Sequence, residues 1–491
     1  MLGLSGALTA RADLSASGER GVHASTAFAV LAAVGLGWAL AAGDLTYRYV
    51  ASWTSYATPL PYRIGALWIG PSGVLLCWAI AAGAWGSVAA PSVRRGSAMR
   101  AWTSALMALL LLAVLAMAAL DVNPFLRLPF PPDDGRGLAL ELMRPVTLIT
   151  VPFGYLAMVM LVVPSVMTVM GALGASSWRD DTRRWATACW ALIGTAMLLD
   201  WRRRYGDAAW ADDWRWAPVH AGTAFAWAGA WLLMLAARRP WRANAAAVAG
   251  FVAFTLGMTG LALRRAMGWE GVHDFAASGA GRAAAWTALL VVAVLAADEL
   301  IARRGASGRV AHAMRTAQVA VLVGAVALVS AGFGRSAEVA VREGGRVPVS
   351  DVFGTAWTLS LEGVSTVGRE DVVANVIAVR AAVKGRGRGF VAPEVRSRYA
   401  GEGREPADQL QISGIAAGLA QDLRVDVREA NTADAVLTVR FVPLATWLWI
   451  AGQIAALAAL VAAMTSPASE NAASPTAASD TVPAPPATEG A

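Results

Sequence analysis

The sequence predicts an α-helical polytopic membrane protein with about ten transmembrane helices and a small, mostly β soluble domain on the outer face. Of the 491 residues, 57% are apolar or aromatic and only 15% are charged, and the mean hydropathy is +0.50. Soluble chains carry about a quarter charged residues. Apolar runs of membrane-spanning length recur up to residue 333, whereas residues 335–443 are polar with the period-two alternation of strands.

The transmembrane domain is predicted to cover residues 23–333, after a polar cytoplasmic segment at 1–22. A helix needs roughly 17–25 apolar residues to cross the hydrocarbon core. Such runs lie at about 24–43, 72–90, 100–120, 146–173, 184–200, 220–237, 243–263, 283–302, 312–333 and 445–464. No small-residue cleavage site follows the first run, so we expect a retained helix and not a removed signal peptide.

Arginines in the short loops predict the orientation, because positive charge prefers the cytoplasmic side. If the spans alternate, most loop arginines fall on one side, and both termini lie inside. These arginines are Arg94, Arg95, Arg100, Arg179, Arg183, Arg184, Arg238, Arg239, Arg242, Arg303, Arg304 and Arg309. The β domain then faces outwards.

An aromatic loop at 201–219 joins two predicted spans on the outer side. It contains Trp210, Trp214 and Trp216, followed by Pro218 and Val219. Interfacial tryptophans are common as a membrane belt. A dense tract also suits a large planar ligand such as a porphyrin, which gains stacking and apolar burial from indole rings.

Three arginines beside this loop, Arg202, Arg203 and Arg204, contradict the charge rule because they fall on the outer side. One explanation is an anionic partner, such as the propionates of a haem. The other is pairing with nearby carboxylates. Those carboxylates belong to Asp200, Asp207, Asp212 and Asp213.

The outer soluble domain is predicted at 334–444. Glycine-rich turns occur at 385–389, and alternation marks strands at 423–427 and 436–442. Trp447 and Trp449 lie at the start of the final span at 445–464, and the Ala/Pro/Ser/Thr-rich tail at 465–491 is predicted to be disordered.

Several classes of function find no support in the residues. The formal charge of +7 comes from loop arginines and does not indicate nucleic-acid binding. Both cysteines, Cys77 and Cys189, lie in predicted spans without a C-x-x-C motif, so the chain cannot carry out dithiol exchange. No Ser/His/Asp triad, paired carboxylate or phosphate-binding glycine loop is recognisable, which fits either a positioning role or a protein that is not an enzyme.

The order of motifs resembles CcmF and its relative NrfE, of the cytochrome c assembly family. The tract at 210–219 is similar to that family's W-G-G-W-W-x-W-D-P-V. The other matching motifs are 44–51, 60–63, 73–78, 123–125, Asp134–Gly135, 272–276 with Arg282, 311–312, 393–399, 413–416 and 422–425. Together these matches run in the same order from about residue 44 to 450.

The resemblance implies a multi-pass protein of the bacterial cytoplasmic membrane that acts in cytochrome c biogenesis. The tryptophan tract and outer histidines would hold haem for attachment to the C-x-x-C-H thiols of apocytochrome c. A CcmE-like haem chaperone, CcmH-like thiol-handling subunits and membrane lipid are the implied further partners. His273 matches the second outer histidine, and His312 matches the second membrane histidine of a resident b haem.

Departures from the family pattern leave the function open. Thr150 stands at the first outer histidine, Leu235 at the first membrane histidine and Ala217 at the Asp of the tract. His220, directly after the tract, is a candidate replacement ligand or an ordinary polar residue at a helix start. The alternatives to a haem lyase subunit are a catalytically degenerate scaffold of the assembly machinery and a small-molecule transporter, although no inverted repeat is evident.

Overall fold

The fold is described from a computed structural model. The described residues are 12–93, 98–120, 123–172, 178–210, 218–237, 279–302, 304–369, 372–383, 386–398, 408–431 and 434–465. The predicted disordered tail therefore lies outside the described residues, except for its first residue.

The described helices form a bundle whose chain is interrupted once by the β domain. In chain order they are α1 (Ala12–Ala42), α2 (Arg48–Trp53), α3 (Leu60–Gly65), α4 (Pro71–Ser92), α5 (Ala98–Leu120), α6 (Pro145–Met160), α7 (Val162–Ala172), α8 (Trp178–Tyr205), α9 (Pro218–Ala236), α10 (Gly279–Ala302), α11 (Arg309–Ser330) and α12 (Ala445–Thr465). The chain breaks at Leu161 between α6 and α7, three residues before Pro164, which has no N–H to continue the helix ladder.

Six segments among the described residues are long and apolar enough to cross a membrane. They are Gly18–Ala42, Ser72–Ser92, Met99–Leu120, Pro145–Gly171, Arg309–Phe333 and Ala445–Thr465. They coincide with six of the spans expected from the sequence. The helices α8, α9 and α10 overlap three more expected spans without meeting the same criterion, and the run at 243–263 lies outside the described residues. About ten membrane helices therefore remain a prediction.

The two ends of the bundle are distinguished by the β domain. The helices α8 and α11 end, and α12 begins, where the β domain is attached, and we name this the β-proximal end. The opposite, distal end holds the Arg100–Glu19 ion pair at 2.6 Å and the hydrogen bond of 2.8 Å between Ser87 and His23.

The β domain consists of two antiparallel sheets. The strands are β1 (Arg335–Arg342), β2 (Arg346–Ser350), β3 (Ala356–Arg369), β4 (Val372–Val383), β5 (Arg386–Val391), β6 (Glu394–Arg398), β7 (Asp408–Ile412), β8 (Gly414–Ala416), β9 (Gln421–Ala430) and β10 (Asp434–Pro443). One sheet has the order β1-β10-β9-β8 and the other β2-β3-β4-β6-β7, with β5 also paired to β4. The strands expected at 423–427 and 436–442 are confirmed as parts of β9 and β10.

A shared apolar core joins the two sheets and includes Leu359, Ile377, Val379, Leu437 and Phe441. The strand β9 departs from simple alternation, because residues 421–427 are buried on both faces. One face supplies Leu423, Val425 and Val427 to this core, while the polar face packs against the end of α8. At the junction with α12, Leu444 adopts a left-handed backbone with φ of 55°, and its N–H donates to the carbonyl of Ala420 at 3.0 Å.

Candidate functional site

The described residues bracket the tryptophan tract without including its centre. Trp210 ends a 3₁₀ turn that begins at Ala208, and Pro218 opens α9 with His220 in its first turn. Only the backbone positions of Trp210, Pro218 and His220 are described. Trp214, Trp216 and Ala217, like His273, lie outside the described residues.

Both flanks of the tract lie at the β-proximal end, because α8 and α9 run antiparallel. Towards the distal end, the Thr187 hydroxyl lies 3.1 Å from the Met234 sulfur. At the β-proximal end, Trp201 and Ala224 belong to one buried cluster. The chain therefore leaves α8 and returns into α9 at the same end of the bundle.

The residues that lead into the tract are attached to the β domain by three hydrogen bonds, one of which belongs to a β-bridge. We call this stretch, Tyr205 to Ala209, the lead-in segment. The Tyr205 hydroxyl donates to Asp422 at 3.1 Å, and the Ser413 N–H donates to the Gly206 carbonyl at 3.2 Å. Asp207 forms an isolated antiparallel bridge with Ile412. Its carbonyl also accepts a hydrogen bond of 3.0 Å from the guanidinium of Arg424.

Asp207 is a buried carboxyl group within the lead-in segment, only 1% exposed. Its side chain accepts a hydrogen bond of 3.1 Å from the Ala209 N–H, and Arg144 lies 3.8 Å away. Burial raises the pKa of Asp207, partly offset by the Ala209 hydrogen bond and by the cations nearby. Burial likewise lowers the pKa of Arg144. The cost of desolvation outweighs the attraction between the two groups.

Two of the three arginines at 202–204 form ion pairs with one carboxylate. Arg203 and Arg204 are buried and contact the carboxylate of Asp200 at 3.0 and 3.2 Å. Arg203 also lies 3.5 Å from Glu141. The pairing explanation is thus met through Asp200, while Asp212 and Asp213 lie outside the described residues.

Arg202 differs from its two neighbours because its side chain is exposed. Its guanidinium lies 5.8 Å from the ring centre of Tyr205 and 6.0 Å from that of Trp449. Cation–π contacts of this kind hold the side chain while the charge stays accessible. Of the three arginines, Arg202 is therefore the one that a ligand carboxylate could reach.

An apolar cavity of about 350 Å³ lies among α8, α9, α10, α11 and α12. Its wall includes Trp190 and Trp227, whose rings stack at 5.1 Å. Trp231 packs edge-on against Trp190 at 4.9 Å. This cluster was not among the predicted site residues, although the i, i+4 spacing of Trp227 and Trp231 on α9 indicates a shared helix face.

His312 lies at the distal end, in the first turn of α11. Its ring is exposed, and Nδ1 is 2.8 Å from the Gly308 carbonyl one turn earlier. Leu235, at the position of the family's other membrane histidine, is the second-last residue of α9. Its side chain lies outside the described residues. Within the described part of the chain, no group of three or more His, Cys, Asp or Glu could hold a metal ion. The described residues do not pair His312 with a second histidine.

Two of the motif residues hold together loops at the β-proximal end. The Tyr49 hydroxyl donates to the Ala66 carbonyl at 2.7 Å, and Asp134 accepts from the Tyr56 N–H at 2.9 Å. Thr150, where the family has a histidine, is buried, and its hydroxyl has no hydrogen-bond partner among the described residues.

The comparisons with known proteins agree with the motif order. The chain is 29% identical to the cytochrome c-type biogenesis protein CcmF of Escherichia coli K12 over 304 residues, which are 60% of this chain and 47% of that one. It is 26% identical to the probable cytochrome c-type biogenesis protein NrfE of Escherichia coli K12, over 44% of this chain and 40% of NrfE. It is 27% identical to the cytochrome c-type biogenesis protein ccl1 of Rhodobacter capsulatus, over 50% and 40%. The chain thus spans less than half the length of these curated relatives.

The fold is also similar to a solved structure named cytochrome c heme lyase CcmF. The TM-score is 0.60 with 17% sequence identity, and the alignment covers 94% of this chain and 97% of the other. No family profile matches the chain. The chain is therefore similar in sequence to these cytochrome c-type biogenesis proteins and similar in fold to the solved CcmF structure.

Proposed function

We propose that the chain acts in cytochrome c biogenesis by holding haem at the outer face of the bacterial cytoplasmic membrane and presenting it to apocytochrome c. One observation carries this proposal. The lead-in segment and the start of α9 flank the tract at the same end of the bundle as the β domain. The relatives named as cytochrome c-type biogenesis proteins support the biological process.

The residues around the tract suit the two parts of a haem. Its apolar macrocycle would stack on Trp210, Trp214 and Trp216 and be covered by Pro218. The exposed guanidinium of Arg202 is available for a propionate, whereas Arg203 and Arg204 already bind Asp200. His273, or His220 beside the tract, would supply the neutral imidazole that haem iron accepts as an axial ligand.

The protein's part in the reaction is to position the two reactants. Bound haem supplies the vinyl groups to which the cysteine thiols of the apocytochrome become attached. Holding the vinyl groups beside the thiols makes a bimolecular reaction effectively unimolecular. Cys77 and Cys189 are not suited to take part, since one lies within the α4 span and the other is buried inside α8. A thiol-handling partner and a haem-delivering partner are therefore part of the proposal.

The proposal does not include a resident haem on His312. The exposed ring is bonded to its own helix, and the described residues bring no second histidine to it. A resident haem on His312, which the family resemblance implies, therefore stays a prediction outside this proposal.

Haem absorbance of the full chain tests the proposal. The protein is purified in mild detergent from haem-replete cells, and the Soret band is compared among variants. We expect Trp214→Ala and His273→Ala to weaken the band. The matched controls are Trp38→Ala, whose indole is 77% exposed on α1, and His23→Ala at the distal end. A haem-free wild-type protein would contradict the proposal.

The second candidate is a scaffold that recruits assembly proteins without binding haem. Thr150, Leu235 and Ala217 favour it, because each replaces a residue of the family's haem-handling pattern. It predicts that the chain rescues a cytochrome c maturation mutant equally well with and without Trp214 and His273. Loss of rescue in both variants would instead support haem handling.

A further inference from the structure

The polar face of β9 is buried at the point where the β domain meets the lead-in segment. Arg424 and Asp426 are only 1% and 5% exposed. A charged side chain is almost never buried to this degree without dedicated partners. The partners of Arg424 and Asp426 show which parts of the molecule this buried face connects.

Arg424 bridges three structural parts with one guanidinium. Its Nε donates to Ser413 at 2.9 Å and to Asp426 at 3.2 Å. Its Nη2 donates to the backbone carbonyl of Asp207 at 3.0 Å. The group also lies 5.8 Å from the ring centre of Tyr205, the last residue of α8. The planar fork of arginine can serve several acceptors at once, which a lysine ammonium cannot do with the same geometry.

The bond from Arg424 fixes backbone, and that backbone leads directly into the tract. The neighbouring Gly206 carbonyl is held by the Ser413 N–H, and the Asp207 carboxyl caps the Ala209 N–H. The path of the chain is therefore defined on both sides of Asp207. Trp210 follows the capped residue directly.

We infer that the β domain positions the tryptophan tract, with Arg424 as the positioning residue that acts through the backbone of Asp207. The inference rests on the proposed function for its effect on haem, but its structural half can be tested without haem. Loss of the Arg424 bond should loosen the lead-in segment, from which the chain continues into Trp210.

Hydrogen exchange measured by mass spectrometry on the full chain in detergent tests the structural half. We expect Arg424→Gln and Arg424→Lys to speed exchange in a peptide covering 206–217, while exchange in β3 and β4 stays unchanged. The lysine variant keeps a cation opposite Asp426. It therefore still tests the positioning of the lead-in segment if the glutamine variant does not fold. The matched control is Arg440→Gln, because Arg440 binds the same Asp426 from β10. Unchanged exchange at 206–217 in the lysine variant would overturn the inference.

A hemin titration of the same proteins tests the effect on the site. We expect Arg424→Lys to weaken hemin binding about tenfold, equivalent to roughly 1.4 kcal/mol, and to shift the Soret maximum, whereas Arg440→Gln changes neither. Normal binding in the Arg424 variants with lost binding in Trp214→Ala would overturn the inference and leave the proposed function standing. Unaltered hemin binding in both Arg424→Lys and Trp214→Ala would overturn the proposed function. Faster exchange at 206–217 in the Arg424 variants would still support the inference that Arg424 fixes the backbone there.

Discussion

The two ends of the helical bundle are built differently. At the β-proximal end, hydrogen bonds connect the end of α8 and the backbone of residues 206 and 207 to Asp422 and Arg424 on β9 and to Ser413 between β7 and β8. At the distal end, His312 is exposed and contacts its own helix turn, and His23 bonds to one serine. Among the described residues, the polar contacts between the helices and the β domain thus lie beside the start of the tryptophan tract, whereas those of the distal end join helices to one another.

This difference bears on where a ligand is handled. Buried polar networks hold their members in one geometry when every group is satisfied. A site that must present a rigid reactant benefits from such support. The comparison therefore supports the proposal that haem is handled at the β-proximal end.

Removal of the Asp422 carboxylate should have the largest effect. Asp422 is 1% exposed and accepts from Tyr205, Thr446 and the Gly418 N–H. Asp422→Ala leaves these donors without their acceptor, and we expect a loss of about 3–5 kcal/mol. Thermal unfolding in detergent measures it. Tyr205→Phe removes one of the bonds and should cost about 1 kcal/mol, so equal losses in the two variants would refute a cooperative network.

A methyl group at Gly135 should have the next largest effect. A Cβ there would lie 1.9 Å from the carbonyl oxygen of Thr54, so the outer loop would have to move. We expect Gly135→Ala to destabilise the protein by about 1–3 kcal/mol. Gly154→Ala is the control, since a Cβ at this position on α6 meets nothing within 4 Å. Similar melting temperatures for the two variants would show that the loop adapts freely.

Asp207 should give the fold a distinctive pH dependence. Because burial raises its pKa in the folded state, the ionised carboxylate is less favourable there than in the unfolded chain. Its contribution to stability is highest below the unfolded pKa of about 3.9 and falls as the pH rises through the folded pKa. Asp207→Asn keeps an acceptor for Ala209 and should melt no lower than wild type at pH 7, with the difference shrinking towards pH 4. If Asp207→Asn instead melted below wild type at pH 7 and the difference vanished in acid, the ionised Asp207 would be stabilising and the prediction would be wrong.

Substitution of His312 should have the smallest effect. We expect His312→Ala to change stability by about 0.5 kcal/mol or less, as for exposed positions in general. The Soret band should also remain unchanged, in contrast to His273→Ala. Loss of haem absorbance in the His312 variant would restore a resident haem at the distal end and remove the contrast between the ends.

Much of the architecture was predictable from the sequence. Long apolar runs identify α1, α4, α5, α11 and α12 because a bilayer requires both length and low charge. The apolar run at 184–200 identifies only the middle of α8, because charged residues occupy both ends: Asp180 and Asp181 lie in its first turn, and arginines 202–204 in its last. Alternation located β9 and β10 but implied that one face of β9 is solvated.

The polar contacts of the site could not be predicted in the same way. The partners of Asp422 and Arg424 lie 217 residues away on α8 and in the lead-in segment, and no local period encodes such a pairing. The three outer arginines show the same limit. Their sequence pattern allowed either a ligand or nearby carboxylates, and only packing shows that Asp200 binds Arg203 and Arg204 while Arg202 stays exposed.

The left-handed backbone of Leu444 sets how the β domain stands on the bundle. A non-glycine residue in this region costs about 1–2 kcal/mol, so the sharp corner between β10 and α12 is held by the surrounding packing. The chain enters the sheets from α11 and returns through this corner to a helix beside α11. For the β domain to move as a hinged lid, at least one of its two connections to the helices would have to be flexible, and the strained turn at Leu444 is not. The two sheets should therefore move together with α11 and α12 as one rigid body.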